Sequence, residues 1–138
     1  MSRIVLDASA LLAVLLQERG ADVVEHRVAG AAISTVNYSE VLKKAVEKGG
    51  TLEGAASVVR SLQMEIIPFE EWNARDAARL YPTTKDKGLS FADRACLSLA
   101  MDLDAPLYTA DKRLAGVDVP IDFILIREPL SAGAKKRK

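Results

Sequence analysis

The sequence predicts one three-layer α/β domain, in which helices cover both faces of a parallel sheet of about five strands. Short apolar runs alternate with longer helical stretches along the chain, and this alternation is typical of parallel sheets with helical crossovers. The length of 138 residues, 49% of them hydrophobic, suits a single domain with its own core. We therefore assign the domain to residues 1–130 and treat residues 131–138 as a basic C-terminal tail, expected to be disordered.

The first segment predicts a buried strand and the helix that follows it. The run RIVLD (3–7) has the length and β-branching of a short buried strand, and ALLAVLLQE (10–18) predicts an apolar helix that ends at Gly20. Ser9 is expected to be the N-cap of this helix. One carboxylate, Asp7, stands in the apolar run. A lone buried charge is costly or becomes neutral, so Asp7 needs a compensating partner.

The next segments continue the alternation of helix and strand. ADVVEHRVA (21–29) is predicted to be helical, and AAIS (31–34) is a weak strand. TVNYSEVLKKAVEKGG (35–50) predicts an amphipathic helix that stops at its paired glycines. A further helix, TLEGAASVVRSLQ (51–63), leads to the strand MEIIPF (64–69).

The C-terminal half repeats this pattern. EEWNARDAARLY (70–81) is predicted to be helical up to Pro82, and the turn-rich segment PTTKDKGLS (82–90) is a candidate mobile loop. SFADRACLSLAMDLD (90–104) predicts a strong apolar helix. The last elements are a strand, a short helical turn and a final strand: PLYTA (106–110), DKRLAG (111–116) and IDFILI (121–126).

Four acidic residues are expected to meet at one edge of this sheet. In right-handed βαβ units all parallel strands end at the same edge, which is where ligands bind. Asp7 closes the first strand and Asp111 follows the strand 106–110, whereas Glu40 and Asp93 lie near the starts of helices that begin at this edge. Like charges so close repel unless a cation lies between them. The pattern therefore predicts a metal site.

Each of these residues also has a purely structural explanation. Ser90 and Asp93 fit a capping box, Asp111 can cap the short helix after it, and Glu40 with Lys44 is a favourable surface pair. Independent capping and pairing do not explain, however, why acidic groups separated by up to about a hundred residues gather at the ligand-binding edge.

The donor atoms indicate which cation such a site prefers. All four donors are carboxylate oxygens, which favours Mg²⁺ or Mn²⁺ over zinc. The single cysteine, Cys96, lies among apolar residues and is expected to be a packed thiol, while the single histidine, His26, is expected at the surface. A Mg²⁺ ion held by few carboxylates keeps several waters, one of which can attack a phosphodiester while the ion shields the phosphate oxygens.

Composition and charge narrow the class of protein further. The 19 basic and 19 acidic residues balance, but setting aside the four carboxylates leaves 19 basic against 15 acidic residues, which suits a polyanionic substrate. One cysteine excludes an internal disulfide. No apolar stretch reaches the roughly 18 residues that span a bilayer, so we expect a cytoplasmic protein without membrane contact.

Four segments form a set that is more specific than any one of them: VLDASALLAVLLQE, VNYSEVLKK, LSFADRACLSLA and LYTADKRL. In order and spacing they resemble the PIN-domain family, and within it the VapC-type ribonuclease toxins of toxin–antitoxin pairs, over nearly the whole chain. The resemblance implies a Mg²⁺-dependent endoribonuclease, in which Mn²⁺ can substitute. It implies a catalytic, metal-binding quartet and two supporting hydroxyls: Asp7, Glu40, Asp93 and Asp111, with Ser9 and Thr109. An N-cap and a strand-end hydroxyl are equally good explanations of the last two.

The same resemblance implies partners other than the RNA substrate. It implies a homodimer and a cognate VapB-like antitoxin whose C-terminal segment obstructs the active site of the toxin. The chain has no DNA-binding motif of its own, so operator binding would belong to that partner. Arg94 stands where many relatives have a small residue, so contacts with substrate or antitoxin can differ here. The basic candidates for RNA contact are Lys43, Lys44, Arg94, Lys112, Arg113 and the tail.

Other functional classes fit the sequence less well. An aspartate-nucleophile phosphatase needs a second Asp two residues after the first, where this chain has Ser9. A receiver-type phosphorylation switch needs an acceptor Asp after the third strand and a Lys after the fifth, and neither 64–69 nor 121–126 ends in this way. A PIN-type nuclease that acts in RNA processing without an antitoxin and a non-catalytic RNA-binding module remain as alternatives.

Overall fold

Five short parallel strands form the centre of the fold. The computed structural model describes residues 2–130, so the predicted tail, residues 131–138, lies outside the described residues. The strands are β1 (Val5–Leu6), β2 (Ala32–Ser34), β3 (Glu65–Ile67), β4 (Leu107–Thr109) and β5 (Phe123–Leu125). They pair in the order β3-β2-β1-β4-β5, with every pair parallel. This order places β1, the strand that precedes Asp7, in the middle of the sheet.

Helices connect the strands. They are α1 (Ala8–Leu15), α2 (Ala21–Glu25), α3 (Thr35–Glu47), α4 (Leu52–Ser61), α5 (Glu71–Arg79), α6 (Tyr81–Thr84), α7 (Phe91–Leu103) and α8 (Lys112–Ala115). None of the helices between residues 2 and 130 combines the length and apolar character that crossing a membrane requires.

The sheet separates two apolar cores. Ile4 and Leu6 pack on one face with residues of α1 to α4, whereas Val5 packs on the other with residues of α7 and α8. Side chains of consecutive strand residues point to opposite faces, so an apolar strand without alternation has to be covered on both sides. Full burial of each Leu or Ile side chain stabilises the fold by about 1.5–3 kcal/mol. The predicted three-layer α/β architecture with a five-stranded parallel sheet is confirmed.

The first helix is shorter than its apolar pattern predicts. Instead of continuing to Gly20, α1 ends at Leu15, and Gln17 takes a left-handed conformation. Gly20 lies at the start of α2 with φ +98°, where a Cβ atom would stand 2.7 Å from the carbonyl oxygen of Ile126. Close packing against the end of β5 therefore requires the glycine here.

The segment predicted as a candidate mobile loop, 82–90, is largely helical. It contains most of α6 and a 3₁₀ helix at Lys85–Lys87. Thr84 is fully buried and donates a hydrogen bond from its hydroxyl to the carbonyl of Leu80 at 2.9 Å, and Leu89 is buried in the core beneath α7. The prediction was wrong because turn-forming residues mark a break in a helix but do not tell whether their neighbours are buried.

Two single-residue predictions are confirmed. Cys96 is a buried free thiol within α7, and His26 is exposed just after α2.

Candidate active site

Asp7 lies at the carboxyl end of the central strand and caps the helix that follows. One carboxylate oxygen, Oδ1, accepts hydrogen bonds from the backbone N–H of Ala10 at 2.9 Å and from the hydroxyl of Ser9 at 2.7 Å. The other oxygen, Oδ2, accepts from the hydroxyl of Thr109 at 2.5 Å. Asp7 rather than Ser9 is thus the N-cap of α1. The predicted cap was wrong because β1 ends at Leu6 and the helix begins directly after Asp7.

The environment of Asp7 disfavours its charge. The side chain is only 5% exposed, and this burial raises its pKa from 3.8 to about 6, although the hydrogen bonds from Thr109, Ser9 and Ala10 act in the opposite direction. The charge of Asp93 raises the pKa of Asp7 further. Three hydrogen bonds therefore orient this carboxylate without fully compensating its burial.

The two predicted hydroxyls, those of Ser9 and Thr109, connect the end of β1 to the end of the neighbouring strand β4. Ser9 accepts a hydrogen bond from the backbone N–H of Ala110 at 2.9 Å while it donates to Asp7. Thr109 accepts from the backbone N–H of Asp111 at 3.0 Å while it donates to Asp7. Both hydroxyls thus orient Asp7, and Ser9 does not have the N-cap role that the sequence also allowed.

Glu40 lies in the second turn of α3, and its carboxylate is partly desolvated by the surrounding protein. This desolvation raises its pKa, the hydrogen bond from Asn37 lowers it, and the charge of Asp93 raises it again, with a net upward shift. The surface pair with Lys44, which was the structural explanation of Glu40, does not form, because Lys44 pairs with Glu47 at 3.3 Å.

Asn37 belongs to the site although the sequence analysis did not single it out. Its side chain is 1% exposed, and its amide donates to Oε1 of Glu40 at 3.3 Å and to the backbone carbonyl of Ala92 at 3.0 Å. The residue therefore ties α3 to the first turn of α7, next to Asp93. A polar residue on the apolar face of a helix, three positions before an acidic one, is the signal that could have identified it.

Asp93 caps its helix, and its charge also acts on two of the other carboxylates. It forms the predicted capping box, in which its Oδ2 accepts from the backbone N–H of Ser90 at 2.8 Å and its own N–H donates to the hydroxyl of Ser90 at 3.2 Å. Its charge also acts on Asp7 and Glu40, raising the pKa of each. The start of α7 therefore brings a third carboxylate into the same electrostatic environment.

Asp111 is held by an arginine two residues further on. Its Oδ1 accepts from the backbone N–H of Arg113 at 2.9 Å and caps α8, as predicted. The guanidinium of Arg113 lies against both carboxylate oxygens, with Nε 3.4 Å from Oδ1 and Nη2 3.2 Å from Oδ2. Burial alone would raise the pKa of Asp111, but the hydrogen bonds and charge of Arg113 outweigh this effect and lower it.

The four predicted carboxylates thus share one edge of the sheet but not one set of contacts. The charge of Asp93 acts on both Asp7 and Glu40, whereas Asp111 is paired with Arg113. Within residues 2–130, no three His, Cys, Asp or Glu side chains are arranged to hold an ion as they stand. Asp7 and Asp111 each have both carboxylate oxygens engaged by donors of the protein itself.

The chemistry of these donors nevertheless fits Mg²⁺ or Mn²⁺. The available groups are carboxylate and hydroxyl oxygens, which hard divalent cations prefer. Burial raises the pKa values of Asp7 and Glu40, and the charge of Asp93 raises both further, so these are negative charges that the protein compensates poorly and that a nearby cation would stabilise. Ser90 contacts only Oδ2 of Asp93, so ligation by Asp93 would not require the capping box to break. Ligation by Asp111 would bring the ion against the guanidinium of Arg113.

Comparison of the chain with models of protein families identifies its family. The model of the PIN domain matches residues 4–120. The chain belongs to the PIN-domain family. This result confirms the family that the four sequence segments predicted. Sequence comparison with curated proteins gave no significant match.

Solved structures with the same fold extend the comparison of this PIN domain. A toxin–antitoxin complex from Klebsiella pneumoniae aligns with a TM-score of 0.66 and 21% identity, over 86% of this chain and 98% of that one. VapBC2 from Rickettsia felis, bound to a DNA fragment from its promoter, aligns with a TM-score of 0.66 and 18% identity, over 88% of this chain and 97% of that one. VapC20 from Mycobacterium tuberculosis, described as a Sarcin-Ricin loop cleaving toxin, aligns with a TM-score of 0.67 and 16% identity, over 86% of this chain and 98% of that one. At these identities the likeness establishes a VapC-like fold.

Proposed function

We propose that this PIN domain is a metal-dependent endoribonuclease that acts as the toxin of a toxin–antitoxin pair. One observation carries the proposal: a buried, incompletely compensated Asp7 stands at the carboxyl end of the central strand, and the charge of Asp93 acts both on it and on Glu40. Sites that shift several carboxylates in this way are commonly functional. Support also comes from the VapC-like fold of toxin–antitoxin proteins.

In this proposal, Asp7, Glu40 and Asp93 hold Mg²⁺, or Mn²⁺ in its place, and Asp111 joins them once Arg113 releases it. When bound, the ion supplies Lewis-acid stabilisation of the phosphate and lowers the pKa of a water molecule. The hydroxyls of Ser9 and Thr109 keep both oxygens of Asp7 in one orientation.

Glu40 is suited to a second task, because it is the most accessible of the three carboxylates. Asn37 fixes one of its oxygens, Oε1, through the hydrogen bond of 3.3 Å. We assign to Glu40 the acceptance of a proton from the attacking water.

RNA cleavage by the purified protein is expected to depend entirely on Mg²⁺ or Mn²⁺. Excess EDTA should stop the cleavage of a labelled RNA, and added Mn²⁺ should restore it, because stabilisation of charge on the phosphate needs the cation. Circular dichroism in EDTA serves as the control that the protein stays folded. Undiminished cleavage in EDTA would contradict the metal mechanism.

We further propose that the protein forms a homodimer and binds a VapB-like antitoxin. An apolar groove lies between the end of α1, the end of α3 and α4, lined in part by Leu16, Ala45 and Val58. Leu16 and Val58 are 37% and 49% exposed. Such a surface is suited to the apolar side of a protein segment, and we assign it to the antitoxin.

The partner proposal predicts that a small protein encoded beside this one copurifies with it from the native host. A charge placed in the apolar groove by Val58→Asp should reduce recovery of that protein at least about tenfold. The matched control is Met101→Asp, which changes an exposed apolar residue of α7 on the other side of the sheet. Recovery of the homodimer alone, with the neighbouring gene expressed, would contradict the antitoxin; equal recovery by both variants would contradict the groove.

A further inference from the structure

The side chain of Arg113 lies between the start of α8 and the 3₁₀ helix Lys85–Lys87. Its guanidinium contacts both carboxylate oxygens of Asp111, and its Nη1 lies 3.5 Å from the backbone carbonyl of Lys87 in the 3₁₀ helix. The charge of Asp93 acts on it as well. Its side chain is 62% exposed. The solvent-accessible guanidinium of Arg113 is therefore paired with Asp111, one of the four predicted metal ligands.

The fold does not need this contact. Asp111 caps α8 through the backbone N–H of Arg113, and that hydrogen bond would remain if the side chain were shorter. An exposed ion pair of this kind contributes at most about 1 kcal/mol to stability. The ion pair between Arg113 and Asp111 therefore contributes little to the stability of the fold, and the guanidinium can leave Asp111 at little cost in free energy.

The chemistry of the guanidinium suits an exchange of partners. Arginine binds carboxylates and phosphates with the same pair of parallel N–H groups. A divalent cation at the carboxylate of Asp111 would compete with the guanidinium of Arg113, because the two positive charges would repel each other at this short distance. If the guanidinium of Arg113 were displaced from Asp111, it would be available to the phosphates of an RNA chain bound at this edge of the sheet.

We propose that Arg113 is an RNA-binding residue that changes partners: it neutralises Asp111 until a metal ion binds there, and it then holds a phosphate of the RNA. This inference rests on the proposed nuclease function and adds the residue that couples metal binding to substrate binding. No covalent step is involved.

The proposal predicts effects of opposite sign from one substitution. Arg113→Gln should bind Mn²⁺ about three- to tenfold more tightly, because the competing cation is gone, and should raise the KM for RNA about tenfold at saturating Mn²⁺, because a charge-assisted contact to phosphate is lost. General damage to the site would weaken both. The measurements are direct Mn²⁺ binding by electron paramagnetic resonance without RNA, and steady-state cleavage of a short single-stranded RNA.

Arg79→Gln is the matched control. Arg79 is also paired with an aspartate, Asp76, and its side chain is 64% exposed, but it lies on α5. This variant should leave Mn²⁺ affinity and KM unchanged. If the wild type cleaves RNA and Arg113→Gln equals Arg79→Gln in both measurements, the exchange is refuted and the proposed function stands. If the wild type binds Mn²⁺ but neither binds nor cleaves RNA, both proposals are refuted.

Discussion

Asp7→Asn is expected to abolish RNA cleavage and, in the absence of metal, to make the protein more stable at neutral pH. Asparagine keeps the shape of the side chain and can still accept the capping hydrogen bond from Ala10. It removes the charge that a metal ion requires and that burial penalises. Loss of function with a gain in stability is typical of a residue retained for its chemistry.

The pH dependence of this effect follows from the pKa of Asp7. Burial raises it to about 6 from an ordinary value of 3.8, so the folded protein binds more protons than the unfolded one between these values. The stability associated with this group is therefore fully present below about pH 4 and is lost as the pH rises through 6. The deficit at pH 7 is on the order of 3 kcal/mol.

Urea denaturation in EDTA between pH 4 and pH 8 measures this difference. The free energy of unfolding of Asp7→Asn should exceed that of the wild type increasingly as the pH rises. Asp111→Asn is the control with the opposite sign, because Arg113 lowers the pKa of Asp111: it should destabilise the protein by a nearly constant amount between pH 4 and pH 8, since this contribution is lost only as the pH falls through the lowered pKa. Parallel stability curves for Asp7→Asn and the wild type, or cleavage by Asp7→Asn at the wild-type rate, would contradict this account.

Patterns that act over short distances could be read from the sequence. The five strands are apolar enough to be predicted individually, and the right-handed connection of parallel strands then places Asp7 and Asp111 at the same edge. The capping box of Ser90 and Asp93 was predictable because it depends on a spacing of three residues alone. These rules were sufficient to locate the candidate site.

The details of the site depend on contacts between distant segments. Ser9 and Asp7 are both good N-cap residues, and only the position where β1 ends decides between them. The burial of Asn37 depends on α7 lying across α3, more than fifty residues away in sequence. The pairing of Arg113 with Asp111 spans two residues at a helix start, a spacing that the rules for helix surfaces do not cover. Physical reasoning from sequence cannot fix such contacts before the fold is known.

Asp93→Asn should separate the two roles of Asp93. Asparagine can still accept a hydrogen bond from the N–H of Ser90, but it loses the favourable interaction of a carboxylate with the helix start, worth about 0.3–1 kcal/mol. It also removes a charge that raises the pKa values of Asp7 and Glu40. These effects oppose each other, so the melting temperature in EDTA should change little, while cleavage should fall at least about 100-fold.

The decisive measurement is thermal melting in EDTA and across a Mn²⁺ titration, because an ion that binds only the folded state raises the melting temperature. Mn²⁺ should raise it much less for Asp93→Asn than for the wild type. Ser90→Ala is the matched control, since it breaks the capping box, at about 1 kcal/mol, but keeps the charge of Asp93. It should lower the melting temperature equally with and without Mn²⁺. Equal Mn²⁺-induced shifts in Asp93→Asn and the wild type, with Asp93→Asn less stable in EDTA, would leave Asp93 with its capping role alone and remove it from the metal site.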